Sequence, residues 1–227
     1  AAMPVLLGLC VSLSAFHAAA QTAAFPMQGA VAVWRMNGLD DMAGNNSALS
    51  PTGELRVGVP LEGMDREASL ARGGDGIAAE CNGGYLSAGQ GADGELNLTG
   101  TAMTMCLRLK MDADIADTPL FSQHGGAKAL TCNLFCTDLG AGPAFGFELG
   151  TDAKEQPLRV SLPIAMAGAG VWHDLIVRFT GPKLELFVDG VIADEEWPMG
   201  ALRQGNREPF LIGAESYGGH VKTGFRG

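Results

Sequence analysis

The residues of this sequence that could take part in catalysis or binding are its acidic residues, its aromatic residues and the residues of its glycine-rich motifs. The densest carboxylate run is Asp194, Glu195 and Glu196. Glycoside hydrolysis needs two carboxylates that face one cleft, roughly 5–9 Å apart. Consecutive residues of a strand point to opposite faces, so Glu195 and Glu196 cannot form that pair by themselves. A solvated charged surface is the better interpretation, and no catalytic constellation is predicted in this stretch of chain.

Two glycine motifs resemble functional signatures without their structural context. Residues 89–94 match G-x-G-x-x-G, but a dinucleotide site needs a strand before the motif and a helix after it, and residues 95–100 favour turn or strand. Residues 214–218 resemble a degenerate nucleophile elbow around Ser216, yet no helical pattern follows and only His220 remains downstream. We therefore predict a rim loop at 214–218 and no nucleophile.

One polar loop offers oxygen ligands for a hard cation. Asp40, Asp41, Asn45 and Asn46 supply carboxylate and amide oxygens, which calcium prefers. Asp and Asn are also the residues that stabilise tight turns by bonding their own backbone. The turn cluster is the favoured interpretation, and calcium binding by these four residues is the alternative that we keep.

Aromatic rings on a surface would indicate sugar binding, because ring faces stack on the C–H patches of sugars. Trp34 and Trp172 occupy strand positions that favour a core role, whereas Trp197 precedes a proline and Tyr217 lies in a glycine-rich stretch. The candidate ligand-binding residues are therefore rings predicted on rim loops, namely Trp197, Tyr217, His220 and Tyr85.

The charge balance excludes one class of partner. The chain has 15 basic and 25 acidic side chains, with a net charge of −10, and no run of Lys or Arg. A nucleic-acid surface needs a basic patch that neutralises phosphates, so nucleic acid is not a predicted partner.

The amino-terminal segment differs from the rest of the sequence. Residues 4–20 contain no Asp, Glu, Lys or Arg and end in Ala18-Ala19-Ala20. An apolar run followed by small residues is typical of a secretory signal peptide. A membrane anchor or a buried segment is the alternative, although the run is short for a span. We predict a signal peptide at 1–20 with a truncated n-region, a domain at 21–227, and a secreted or periplasmic product with no stable membrane insertion after cleavage.

Four cysteines follow that segment: Cys81, Cys106, Cys132 and Cys136. An even number in an exported protein permits two disulfides, with three possible connectivities. Cys132 and Cys136 lie four residues apart in a predicted strand, so their Cα atoms would be about 13 Å apart, beyond disulfide reach. Buried free thiols are the favoured interpretation for at least two of the four.

Residues 171–194 carry the clearest structural pattern. Leu175, Val177 and Phe179 alternate with polar residues, residues 180–182 interrupt the run, and the alternation resumes up to Asp189-Gly190. Asp-Gly between two apolar runs is a strong hairpin signal, which predicts a β-meander. About a dozen short strands with turns between them predict an all-β fold of two packed antiparallel sheets. Only residues 61–72 could form either a short helix or a loop.

Several segments resemble the concanavalin A-like, or laminin-G-like, jelly-roll superfamily. They are V-W-R-M at 33–36, W-H-D-L at 172–175, L-E-L-F-V-D-G at 184–190, L-I-G at 211–213 and F-R-G at 225–227. The resemblance implies a two-sheet jelly-roll sandwich. Members continue past the last motif into a strand beside the first one, so it also implies that this chain lacks its last strand.

The run E-E-W-P at 195–198 resembles the sandwich module of secreted bacterial proteins of the glycoside hydrolase family 32 type. The catalytic motifs of their propeller have no counterpart here, so the resemblance implies a non-catalytic module. Three hypotheses follow: a carbohydrate-binding or interaction module attached to a larger extracellular protein, a fragment of a fructan- or sucrose-type hydrolase whose catalytic domain lies beyond residue 227, or a structural and adhesion spacer. Whether the parent protein is an enzyme stays open.

Overall fold

Short alternating runs separated by glycine-rich turns build the strands of the computed structural model, in which the described residues form seventeen strands and one helix. The structure describes residues 5–9, 30–43, 48–71, 75–90, 96, 98, 100–112, 117–126, 129–138, 143–153, 157–163, 169–197, 200–204, 206 and 208–227. In chain order the elements are β1 (Val5–Leu9), β2 (Ala30–Trp34), β3 (Leu49–Thr52), β4 (Leu55–Pro60), α1 (Gly63–Ala71), β5 (Ile77–Cys81), β6 (Tyr85–Gln90), β7 (Met103–Lys110), β8 (Thr118–His124), β9 (Leu130–Asp138), β10 (Pro143–Leu149), β11 (Leu158–Pro163), β12 (Trp172–Phe179), β13 (Leu184–Val188), β14 (Val191–Glu196), β15 (Pro209–Ile212), β16 (Ala214–Tyr217) and β17 (His220–Thr223).

Two sheets face each other, as the sequence predicted. A six-stranded sheet has the order β14-β13-β12-β7-β1-β2, and a seven-stranded sheet has the order β11-β10-β9-β8-β15-β6-β3. The hairpins β4–β5 and β16–β17 form two further small sheets. All neighbours in the seven-stranded sheet pair antiparallel. The predicted two-sheet antiparallel sandwich is confirmed.

The core lies between the two sheets and is built by every second residue of the facing strands. Trp34 from one sheet stacks on Phe210 from the other at 6.1 Å, and Phe210 in turn stacks on Phe121 at 5.7 Å. All three rings are almost completely buried. Burial of such rings is the main favourable contribution to folding in a sandwich of this kind.

The β12–β13–β14 meander matches its sequence pattern closely. Leu175 and Leu186 are buried in the core, and the turn after β13 places Asp189 at φ 51° and Gly190 at φ 82°. Two positive φ values are what a type I′ turn requires, so the hairpin predicted from Asp-Gly is present. Ile176, which breaks the alternation, lies on the outer face of the six-stranded sheet with Val33 and Cys106.

The segment that the sequence left undecided is the helix α1. Asp65, in its first turn, accepts hydrogen bonds from Lys110 Nζ at 2.6 Å and from Trp172 Nε1 at 3.0 Å. These contacts come from β7 and β12, so tertiary structure fixes the helix. The hydrogen bonds and the charge of Lys110 lower the pKa of Asp65, while burial opposes them. The helix α1, the hairpin β4–β5 and strands of both sheets line a mainly apolar cavity of about 90 Å³.

The strand β1 lies inside the predicted signal peptide. It sits between β7 and β2 and pairs in parallel with both. Cleavage after residue 20 stays a prediction, and it would take this strand out of the six-stranded sheet.

The four cysteines of the predicted domain are buried and free. Burial raises the pKa of Cys81 to about 11 and the pKa of Cys106, Cys132 and Cys136 to about 12. The interpretation as buried thiols therefore holds for all four.

Candidate functional site

The hairpin β16–β17 occupies the stretch for which the sequence predicted a rim loop. Gly213, at φ 81°, ends β15 and turns the chain out of the seven-stranded sheet. Gly218 and Gly219 then provide the two positive φ values, 58° and 80°, of a two-residue turn. The loop prediction was wrong because alternation over only four residues per strand is too short to reveal a hairpin. The β17 strand, where a nucleophile elbow needs a helix, also removes that interpretation of Ser216.

The hairpin packs on the outer face of the seven-stranded sheet, the face turned away from the core. Ser122 and Asn133 are register partners on that face. Ser122 Oγ donates to the carbonyl of Ala214 at 3.0 Å, and Asn133 Nδ2 donates to Glu215 Oε2 at 3.1 Å. Both polar side chains are buried. These bonds fix the position of β16 across the strands β8 and β9.

An exposed aromatic ring projects from the end of this hairpin. The ring of Tyr217 is 57% exposed and meets the ring of His124 edge to face, with centroids 5.3 Å apart. His124 Nδ1 lies 3.4 Å from Glu215 Oε2, and Lys222 Nζ lies 3.8 Å from Glu215 Oε1. We call this group, formed by Tyr217, His124, Glu215, Asn133 and Lys222, the Tyr217 platform.

The carboxylate of the platform is held in its charged form. The imidazole of His124 beside it lowers the pKa of Glu215 most, and Lys222 and the amide of Asn133 act in the same direction, while burial opposes them. Asn133 Oδ1 is buried and has no hydrogen-bond partner. An ionised carboxylate next to a fixed, exposed ring can accept hydrogen bonds from hydroxyl groups while the ring receives an apolar face.

A second, buried network fixes the base of the hairpin. Ser216 Oγ donates to Glu208 Oε2 at 2.6 Å. Asn206 Nδ2 donates to the carbonyl of Gln123 at 2.8 Å, and Asn206 Oδ1 accepts from the amide of Glu208 at 3.0 Å. A Cβ atom on Gly125 would lie 2.6 Å from Glu208 Cγ, so a larger residue there would displace the Glu208 side chain.

The structure brings two of the four predicted ligand-binding residues together. Tyr217 and His220 are register partners across the β16–β17 turn. Tyr85 shares the outer face of the seven-stranded sheet, since Leu86 and Ala88 face the core. A Cβ atom on Gly213 would lie 3.8 Å from the Cα atom of Tyr85, so Tyr85 is close to the beginning of β16. Tyr217, four residues after Gly213, is at the other end of that strand, and the Cα atoms of the two tyrosines are therefore roughly 13 Å apart.

The fourth residue, Trp197, belongs to a different surface. It follows β14 at the edge of the six-stranded sheet and is 61% exposed. Lys183 Nζ lies 5.8 Å from the centroid of its ring. Lys183 also bonds Glu185, whose strand neighbours Leu184 and Leu186 face the core, so the Lys183–Trp197 pair lies towards the outer face of the six-stranded sheet. The Tyr217 platform lies on the outer face of the other sheet.

The predicted cation loop is only partly described. Asp41 Oδ1 accepts hydrogen bonds from the amides of Val33 and Ala43, each at 2.8 Å, and the bond from Ala43, two residues on, is that of an Asx turn. Asp40 is exposed, and Asn45 and Asn46 lie outside the described residues. Within the described part of the chain, no three His, Cys, Asp or Glu side chains are grouped as metal ligands. Calcium binding at this loop stays a prediction.

The sequence analysis did not predict four members of the platform: His124, Asn133, Glu215 and Lys222. Glu215 and Lys222 meet only because the β16–β17 register pairs them. His124 and Asn133 come from other strands, far away in the sequence. The one available signal was His124 before Gly125-Gly126, a polar ring at the end of a strand.

Two mainly antiparallel sheets packed face to face define a jelly-roll sandwich domain. The chain belongs to the concanavalin A-like lectin/glucanases superfamily: the profile of its laminin-G-type family matches residues 82–227, more than half of the chain. No curated protein matches the sequence.

Solved structures share this fold at low sequence identity. Domain 4 of the extracellular family 43 arabinanase AbnA of Geobacillus stearothermophilus, in complex with arabinotriose, is 17% identical with a TM-score of 0.56, covering 85% of this chain and 84% of that chain. The CBM40 of the sialidase of Ruminococcus gnavus, bound to α2,3-sialyllactose, is 16% identical with a TM-score of 0.48, covering 63% and 84%. These neighbours are modules of arabinanase and sialidase, and they lend no support to the expected family 32 likeness.

Among the described residues, the helix is too short and too polar to cross a membrane.

Proposed function

We propose that this chain is a non-catalytic, exported carbohydrate-binding module attached to a larger extracellular protein, and that its ligand docks on the Tyr217 platform. The observation that carries the proposal is the exposed ring of Tyr217, which His124 holds in place beside the ionised carboxylate of Glu215. A sugar ring would stack on the phenol ring, and its hydroxyls would donate to Glu215.

Two further features support a ligand longer than one sugar. Tyr85 lies on the same outer face, at the other end of β16, so an oligosaccharide that runs along the hairpin would reach both tyrosines. The superfamily includes lectins, and the neighbour from Geobacillus stearothermophilus was solved with arabinotriose. Arabino-oligosaccharides are therefore the first ligands to test, with fructan and sialyllactose as the next.

Affinity electrophoresis and calorimetry on that glycan panel, with and without calcium, test the proposal. The wild type should bind at least one glycan, and Tyr217→Ala should weaken binding about ten-fold or more, as loss of an anchoring aromatic ring does. Val221→Ala is the matched control, because Val221 is 45% exposed on the same hairpin. Binding that is equal in all three proteins would contradict the role of the platform.

The same experiment separates the remaining hypotheses. Binding that requires calcium and is lost in Asp40→Asn would place the ligand at the cation loop instead. No retention by any glycan would favour a structural or adhesion spacer. A hydrolase fragment would show its catalytic domain in the reading frame beyond residue 227.

A further inference from the structure

We propose a second glycan-docking surface on the opposite side of the sandwich, formed by Trp197, Lys183 and Glu195, which we call the Trp197 corner. The inference rests on the proposed carbohydrate-binding function and extends it to a module with two sites. Its ligand would be an uncharged sugar unit of the same glycan chain or of a second one.

The ring of Trp197 is exposed on one side and covered on the other. Trp197 is 61% exposed, the largest exposure of any described Phe, Tyr or Trp, while the ammonium group of Lys183 lies 5.8 Å from the ring centroid. A cation over one face of an indole leaves the opposite face available for stacking. Tryptophan is also a rigid anchor that loses little conformational entropy on binding.

The polar partners of this ring are already ordered. Lys183 Nζ bonds Glu195 Oε2 at 2.6 Å and Glu185 Oε1 at 3.0 Å. Glu185 is only 3% exposed and accepts from Arg178 Nε at 2.7 Å. Glu185 is a register partner of Arg178 in β12 and of Glu195 in β14, so three neighbouring strands fix the group.

The remaining hydrogen-bonding capacity suits sugar hydroxyls. The Lys183 ammonium has three donors and uses two on the glutamates, and the Glu195 carboxylate keeps acceptor positions beyond the one that Lys183 occupies. A sugar that stacks its C–H groups on the free face of the indole would reach this donor and these acceptors with hydroxyls that extend past the edge of the ring. The negative charges of Glu185 and Glu195 would repel an acidic sugar.

The two surfaces point away from each other, because they lie on the outer faces of opposite sheets. One module could therefore hold two glycan chains at once, or two distant parts of one chain. Two linked sites raise the overall avidity for a polymer far above the affinity of either site alone.

Calorimetric titration with a short neutral oligosaccharide that the wild type retains tests the second surface. The wild type should bind two molecules per chain, and Trp197→Ala and Tyr217→Ala should each bind one. Wild type should also cross-link polysaccharide-coated beads, and both variants should lose this activity. Val191→Ala is the matched control and should behave as wild type, because Val191 is 67% exposed on β14, the strand that leads into Trp197.

The outcomes separate the two proposals. If Trp197→Ala keeps the stoichiometry and bead cross-linking of the wild type, the Trp197 corner is refuted while the Tyr217 platform can stand. If Trp197→Ala loses binding and Tyr217→Ala does not, the corner is supported and the platform fails. As a second readout, glycan added to Tyr217→Ala should protect Trp197 from fluorescence quenching by acrylamide, and unchanged quenching overturns the inference.

Discussion

His173 Nδ1 lies 2.8 Å from Asp189 Oδ2, so the turn between β13 and β14 is tied to the beginning of β12. The same carboxylate accepts from the backbone amide of Asp174 through Oδ1, at 2.9 Å. His173 is buried, with its ring edge against Phe145. Two sequence motifs, W-H-D-L and V-D-G, thus meet in one contact.

Substitution of Asp189 should show how much this contact contributes to the free energy of unfolding. Asp189→Gly keeps the positive φ of the turn but removes both hydrogen bonds, and we expect a loss of about 1–3 kcal/mol in the free energy of unfolding. Asp189→Ala should lose about 1 kcal/mol more, because alanine disfavours φ 51°. Asp189→Asn keeps the turn and an acceptor and should cost least. Denaturant unfolding measures all three, and equal stability of Asp189→Gly and wild type would show that the carboxylate is dispensable.

The core face of the meander gives a second prediction. Leu186 and Val177 are register partners and are 0% and 1% exposed. Leu186→Ala should destabilise the domain by about 2–4 kcal/mol, and Val177→Ala by somewhat less, through lost burial and a new cavity. Val191→Ala should change stability little. An unchanged melting temperature in the core variants would mean that the core face is misassigned.

Acidification should destabilise the domain partly through Glu185. Its hydrogen bond from Arg178 lowers its pKa below the usual 4.5, with help from Lys183 and against burial. A carboxylate whose pKa is lower in the folded state contributes stability above its unfolded pKa, and that contribution is lost as the pH falls through the folded pKa.

As the pH is lowered from about 5 to about 2, the melting temperature of the wild type should therefore fall more steeply than that of Glu185→Gln. Glu215 and Asp65, whose pKa values are also lowered, should keep part of the acid dependence in the variant. Parallel melting curves for the two proteins would contradict the assignment.

Thiol titration tests both the cysteine state and the predicted signal peptide. The pKa values of about 11 and 12 leave almost no thiolate at pH 8, so a thiol reagent should not react with the native protein. After denaturation without reductant, the exported protein should report four thiols, because cleavage after residue 20 removes Cys10 from the five cysteines. Five thiols would show an uncleaved chain, and fewer than four would reveal a disulfide.

Local sequence patterns were sufficient to predict the fold class, because hydrophobic alternation and turn preferences depend on only a few neighbouring residues. Asp189-Gly190 favours a type I′ turn through the backbone preferences of the two residues themselves, and the alternation from Leu175 to Phe179 marks the buried face. The helix α1 could not be predicted in the same way. Its capping is weak, and Asp65 finds its partners Lys110 and Trp172 on strands that are distant in the sequence.

By itself, the sequence determined an antiparallel sandwich of the concanavalin A-like type and singled out Tyr217 and Trp197 as rings for a surface. Only the tertiary structure decided what surrounds them. The β16–β17 register places Glu215 beside Lys222, and packing of that hairpin on the seven-stranded sheet adds His124 and Asn133. Such groups come from distant positions, and their meeting depends on strand register and sheet packing, which no local pattern encodes.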